Sequence, residues 1–421
     1  MPDYWISVRG GSGTEYGGGG AIDSLDNIIV AGYTDSEGAG STDFLIAKYS
    51  SSGFLQWERT LGGTGDDQSY SVAIDSLDNI IVAGQTTSDG AGATDSLIVK
   101  YSSSGVLQWG RTLGGTVNDI GSEVAIDSLD NIIVAGYTNS GGAGSTELLI
   151  AKYNSSGVLQ WDRTLGGTGA EYGQGVAIDS ADNIIVTGFT QSDGAGSNDV
   201  LIAKYNSSGV LQWDRTLGGT GNDRAYEVAV DSSDNIIVTG YTDSDGAGGN
   251  DVLIAKYNSS GVLQWQRTLG GTGDETSWGV AIDSSDNIII IGRTESDGAG
   301  LGDLLIAKYN SSGVLQWDRT LGGNGDDYGR GVAIDSLDNI IVTGYTQSDG
   351  AGVNDVLIAK LPSDGGLEGT YGPFTYADAV LTDAEAVLTD AAAVLTDAPA
   401  VLTDAEAVLT ELKLHTLLTI S

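Results

Sequence analysis

The chain has 421 residues, with 57 Asp and Glu against 18 Lys and Arg for a formal charge of -39, no cysteine and a single histidine. That charge makes unaided binding to nucleic acid or an anionic membrane unfavourable, and the missing cysteines exclude disulfides and thiolate metal sites. With His415 as the only imidazole, a Ser-His-Asp triad, a Cys-His pair or a histidine metal cluster is excluded from the first 414 residues.

The N-terminus, Met-Pro-Asp-Tyr-Trp, lacks the basic-then-apolar pattern of a signal peptide, and no run of about 18 apolar residues marks a membrane span. From Trp5 onward the chain is periodic. Tryptophan recurs at Trp57, Trp109, Trp161, Trp213, Trp265 and Trp317, and Ala-Ile-Asp at 21 recurs at Ala73, Ala125, Ala177, Ala229 (followed by Val230), Ala281 and Ala333. Both series step by 52 residues. Each unit holds four short apolar runs separated by Gly, Asp, Asn and Ser, for example 71–75, 79–86, 96–101 and 106–113, read as strands A to D. The B run Ile-Ile-Val-Ala-Gly-Tyr is apolar at consecutive positions, as a strand covered on both faces requires.

Repeated four-stranded units stacked around an axis supply that cover, which predicts an all-β, seven-bladed β-propeller. The ends predict its closure. A lone D strand at 4–9 precedes the first full repeat, and the last repeat stops after its C strand at 356–361, so one completes the other. The repeat, with Gly-Val-Ala-Ile-Asp-Ser and Asp-Asn-Ile-Ile-Val-Thr-Gly within 175–188, resembles the bacterial seven-bladed β-propeller repeat family over residues 1–361. The resemblance implies the fold and a surface or extracellular scaffold. It carries over no catalytic motif.

In such a fold the A-to-B and C-to-D turns share one face and the B-to-C and D-to-A loops the other. The first face carries Asp-Ser-Leu-Asp-Asn and Asn-Ser-Ser-Gly turns, read as local hydrogen-bonding devices. The sequons at Asn154, Asn206, Asn258 and Asn310 are read the same way, with glycan acceptance as the alternative. On the second face, the loop from Asp243 through Asp245 to Asp251 looks superficially like an Asp-x-Asp calcium loop, but Ala247 occupies its fifth position and the third copy has Gly141. Turn chemistry is preferred, no cofactor is expected, and calcium is the alternative. The loop-end acids Asp43, Asp95, Glu147, Asp199, Asp251, Asp303 and Asp355 are expected to bridge strand C lysines such as Lys48 and Lys256.

The D-to-A loop combines a fixed acid (Glu15, Asp67, Asp119, Glu171, Asp223, Glu275, Asp327) with variable neighbours. Three arginines fall outside the C and D strands: Arg224, Arg293 and Arg330. With Tyr226, Trp278 and Tyr328 they compose a candidate ligand-binding patch on blades five to seven, suited to an acidic glycan or an acidic protein surface. The ring of fixed acids also offers paired carboxylates for a glycosidase, although no repeat breaks the 52-residue spacing to build a catalytic blade.

Beyond 361, residues 362–376, beginning Pro-Ser-Asp-Gly-Gly, read as a linker, and 377–421 as a low-complexity tail. Five seven-residue copies follow one another: ADAVLTD, AEAVLTD, AAAVLTD, APAVLTD and AEAVLTE. The period predicts segmented helices with a thin seam at Ala384, Val387, Ala391 and Val394, capping boxes at Thr382 to Glu385 and Thr403 to Glu406, and a break at Pro399. Residues 412–421 alternate apolar and polar and suit addition to a partner's sheet edge.

These features together predict a non-enzymatic structural and binding propeller on a cell or virion surface. It meets a protein or glycan at the D-to-A and B-to-C face, and attaches or self-associates through residues 377–421. A lectin for acidic glycans and a carbohydrate-active enzyme are the alternatives, as is a cytoplasmic location.

Overall fold

The computed structural model describes residues 4–142, 144–366, 368–400 and 402–413. Seven antiparallel sheets surround an axis, each ordered A-B-C-D from the inside outward, as in Asp67–Ile74, Ile80–Thr86, Asp95–Tyr101 and Leu107–Gly114 of blade 2. The continuous apolar runs lie where both faces are covered: Asp95–Tyr101 is buried throughout, and Ile80–Thr86 at all but one residue. Seven apolar clusters fill the gaps between adjacent blades. One of them joins Ile29, Ala31 and Phe44 of blade 1 to Val82, Leu97 and Val99 of blade 2.

Closure follows the expected route. Trp5–Arg9 is strand D of blade 7, antiparallel to Asp355–Leu361 with Trp5 opposite Lys360 and Arg9 opposite Val356. The recurring tryptophan is explained by its contact across blades. Gly105, at φ 74°, lies over the Trp57 ring, where an added Cβ would come within 2.8 Å; Gly53 lies over Trp5 in the same way and joins the last blade to the first.

The A-to-B turns make a second ring of contacts. Asp78 is left-handed (φ 60°), which its short side chain tolerates. Its carboxylate accepts the Ser24 N–H at 2.9 Å and the Ser24 hydroxyl at 2.7 Å from the preceding blade. The series ends with Ser336 donating to Asp26, blade 7 to blade 1. Behind each turn a strand C lysine is paired in the interior with the Asp of Ala-Ile-Asp, as in Lys48–Asp23 at 2.6 Å and Lys152–Asp127 at 2.7 Å. Burial opposes ionisation of Asp23, but the lysine, the Asn27 amide and turn N–H groups outweigh it and hold its pKa below the usual value.

These pairs correct the expectation for the loop-end acids. They do not meet the lysines but clasp their own loops, Asp43 accepting the Gly40 N–H at 3.0 Å and Asp199 the Gly196 N–H at 3.0 Å. The sequon residues behave as turn formers: Asn154 Oδ1 accepts the N–H groups of Ser156 and Val158, each at 3.0 Å. Residues 362–365, read as the start of a linker, take the place that a C-to-D turn holds in the other blades, with Ser363 O accepting from Lys308 and Gly365 O from Arg319.

The tail departs from the helical expectation. After a hairpin of Gly369–Tyr371 and Phe374–Asp378, it forms the short strands Thr382–Glu385, Thr389–Ala392, Thr396–Ala398, Thr403–Glu406 and Thr410–Lys413. Phe374–Asp378 pairs with strand D of blade 6, and the others take blades 5, 4, 3, 2 and 1 in turn. The tail thus runs backwards around the propeller as a belt, adding an outer strand to six blades. Its register repeats: Leu269 faces Asp383, Leu217 faces Asp390 and Leu165 faces Asp397.

The physical reason is that strand D offers an unpaired backbone edge, whereas the tail has no partner helix to bury a seam against. Seven residues are one blade's step, four paired and three crossing, about 23 Å of extended chain at ~3.3 Å per residue. In the crossings Ala and Leu turn inward and Val outward. Ala386 and Leu388 are buried in an inter-blade cluster, while Val380, Val387, Val394 and Val408 are more than 80% exposed. The segments read as capping boxes are themselves strands. Pro399, without an N–H, ends Thr396–Ala398 one residue short of its four-residue neighbours.

Tail acids anchor the belt. Asp383 accepts from Tyr309 at 3.1 Å and from Arg267 at 2.9 Å, and Asp390 from Tyr257 at 3.1 Å. The strand expected over 412–421 lies outside the described residues from 414 onward; its first two residues extend the belt onto blade 1.

Candidate functional site

The inner ends of the A strands surround an axial cavity of about 620 Å³ that opens among the D-to-A loops. The fixed acids of those loops take no part in it. Each is buried and accepts hydrogen bonds from its own loop and from the end of strand B or the loop after it: Glu171 accepts the Gly167 N–H and the Thr190 hydroxyl at 2.8 Å each, and Asp223 the Gly219 N–H and Ser244 hydroxyl at 2.8 Å each. In the B-to-C loop of blade 5, Asp245 accepts the Gly246 N–H at 2.9 Å and the tail's Val387 N–H at 2.7 Å. Among the described residues no three acids or histidines gather as a metal site.

The variable residues do gather. Seven aromatic rings form an arc through blades 1, 7, 6 and 5: Tyr33 stacks on Tyr16 (4.8 Å between centroids), Tyr16 meets Tyr345 (4.5 Å), Tyr345 stacks on Tyr328 (4.5 Å), and the chain continues through Trp278 (5.5 Å), Tyr226 (6.4 Å) and Tyr241 (6.0 Å). Arg330 lies over Trp278 at 4.1 Å and over Tyr16 at 5.2 Å. Burial pushes the Tyr16 hydroxyl up to about 12, against the pull of Arg330.

Of the six residues proposed from sequence, Tyr226, Trp278 and Arg330 line the cavity, and Tyr328 joins them through the arc. The other two arginines are occupied elsewhere. Arg293 lies over Tyr328 at 4.7 Å but is held by Glu295 (2.6 Å) and Asp326 (2.8 Å). Arg224 lies on the Phe189 ring at 4.3 Å, opposite Tyr241 at one end of the arc and outside the cavity lining.

Sequence reasoning missed the two residues with the most unusual chemistry, Glu123 of blade 3 and Glu227 of blade 5. The seven copies at this A-strand position read Gly19, Ser71, Glu123, Gly175, Glu227, Gly279 and Gly331, so only two blades place a carboxyl here. Both line the cavity, hydrogen-bonded to each other, and Ser71 donates its hydroxyl to Glu123. Desolvation raises both pKa values, Glu123 to about 7, and the neighbouring Glu123 charge raises Glu227 further. Two carboxyls in contact share a proton rather than ionise together.

Architecture and cavity define a seven-bladed β-propeller with a ligand-sized axial site. Comparison with known proteins agrees on the class. Residues 56–90 and 316–350 match the model of the β-propeller repeat family, and 26–55 and 130–159 that of a β-propeller domain of unknown function, which supports the resemblance to the bacterial-type β-propeller repeat family. A WD repeat-containing protein of Acanthamoeba polyphaga mimivirus is 24% identical over 431 residues, covering 69% of this chain and 31% of that protein. Regulatory protein FlaEY of Caulobacter vibrioides is 26% identical over 356 residues, covering 76% and 35%. The chain therefore spans about a third of the length of these curated relatives. Among solved structures, virginiamycin B lyase from Staphylococcus aureus is 10% identical with a TM-score of 0.48, covering 85% of this chain and 99% of that one, a likeness too distant to bear on ligands.

Proposed function

We propose that this chain is a non-enzymatic binding propeller that takes a saccharide into the mouth of its axial cavity, and that it is displayed outside the cytoplasm on a cell or virion surface. The observation that carries the reading is the arc of seven rings, of which Tyr16, Tyr33, Tyr226 and Trp278 line a cavity of about 620 Å³. Such a volume suits a small ligand, and aromatic faces stack on the apolar faces of sugars. Gln68, Gln85 and Gln174 on the lining supply amide donors and acceptors for hydroxyl groups.

The acidic-glycan version weakens, because Arg330 is the single cationic side chain on the described lining. The enzyme reading weakens too: hydrogen-bonded carboxyls are closer than the ~5–9.5 Å that glycoside hydrolysis needs between its two acids. For attachment, the outward valines are the part of the belt left for another chain.

The test is a glycan-binding screen of the full chain beside Trp278→Ala and Arg330→Ala. Binding that falls at least about tenfold in both variants supports the site. Binding that survives both variants refutes it, and turnover of any polysaccharide refutes the non-enzymatic reading.

A further inference from the structure

Stacking a sugar on the aromatic arc leaves the Glu123–Glu227 pair unexplained. Blades 3 and 5 place these side chains in contact across blade 4, whose own residue at that position is Gly175; an added Cβ there would come within 2.9 Å of the Glu227 Cα. Neither carboxyl has a lysine or arginine partner among the described ion pairs, unlike the buried aspartates of the A-to-B turns. The other ionisable groups lining the cavity are Arg330 and the tyrosines 16, 33, 70, 137 and 226. Arg330 is engaged by the arc.

We propose that the Glu123–Glu227 pair is the receptor for a ligand ammonium group, so that the saccharide taken by the cavity is an amino sugar with a free amine. The proposal rests on the saccharide reading above. Three observations carry it. Two adjacent carboxylates need a cation between them, a role that a proton fills in the free chain and that an ammonium group, with three N–H donors, fills with better geometry. The surrounding rings accept cations, as Arg330 over Trp278 at 4.1 Å demonstrates. The net charge of -39 draws cations toward a cleft and repels anions. On binding, the ammonium takes the place of the bound protons, both carboxyls become carboxylates, and the protons they held pass to solvent.

The experiment is calorimetric titration of the full chain at pH 6, in two buffers of different ionisation enthalpy, with three tetrasaccharides: β-1,4-glucosamine, its N-acetylated form, and the neutral glucose oligomer. The expected result is binding of the free-amine oligomer at least about tenfold tighter than the other two, with net release of protons. Glu123→Gln and Glu227→Gln each abolish that preference, bringing free-amine binding down to that of the neutral oligomer in the same variant. Gln is isosteric and removes the repulsion, so these variants fold. Equal affinity for all three sugars, or free-amine binding unchanged in both variants, overturns the ammonium receptor and leaves the saccharide site standing. Absence of binding by any of the three overturns the saccharide reading and this proposal together.

Discussion

Replacing Glu123 by Gln is expected to stabilise the propeller, and to do so only above mildly acidic pH. In the native chain Glu123 keeps its proton to about pH 7 against an ordinary 4.5, because burial opposes its ionisation more than the hydrogen bonds of Ser71, the Val124 N–H and Glu227 favour it. Between those values the folded chain holds a proton that the unfolded chain has released, so stability falls as pH rises through the window. A rise from 4.5 to about 7 corresponds to about 3 kcal/mol. Access of water to the cavity reduces this, and ~1–3 kcal/mol is expected at pH 8, shrinking toward zero at pH 4.5. Denaturant unfolding at a series of pH values reads the effect as a shift in midpoint at constant slope. A variant no more stable at pH 8 than at pH 4.5, relative to the parent, would show that burial does not hold the proton on Glu123.

The buried lysine pairs have the opposite sign. Asp127, held below its usual pKa, contributes stability that is lost as pH falls through the acid range, and Asp127→Asn, which leaves Lys152 buried without its charge partner, is expected to cost about 3 kcal/mol at pH 7 by the same unfolding measurement. Asp383→Ala strips Tyr309 and Arg267 of their shared acceptor and should cost ~1–2 kcal/mol, read as a lowered unfolding midpoint. Truncation after Gly366 keeps the turn at 362–365 but bares six strand edges; light scattering should show concentration-dependent association, and a monodisperse product would mean that the edges need no cover. Arg224→Ala should leave ligand affinity within about twofold, because this arginine lies on Phe189 rather than in the cavity.

The propeller was legible because its signals reinforce one another: the recurring tryptophans mark inter-blade contacts, and the apolar B runs mark strands covered on both faces. Half of the patch was legible for a different reason. Comparing copies finds residues free to vary, such as Trp278 and Arg330, but does not say which variable side chain is already claimed, as Arg293 is by Glu295 and Asp326. The Glu123–Glu227 pair carried a readable signal, two acids in a column of small residues, yet the column begins the run read as strand A, one residue past the variable positions of Tyr226, Trp278 and Arg330. The tail misled because a seven-residue period suits a helical seam, and nothing local distinguishes that from a period imposed by blades elsewhere in the chain. The inward Ala386 and Leu388 with outward Val387 follow strand alternation, which three residues are too few to announce.

The reversed belt ties two lengths of chain together. A blade takes 52 residues and its cover takes seven. An ancestor that gained a blade by internal duplication would also have needed a new heptad some distance downstream, or would have carried one bare edge and a tail out of step with every blade beyond it. Blade number in this architecture is therefore written twice, at two scales, and a change in one copy is checked against the other whenever the chain folds.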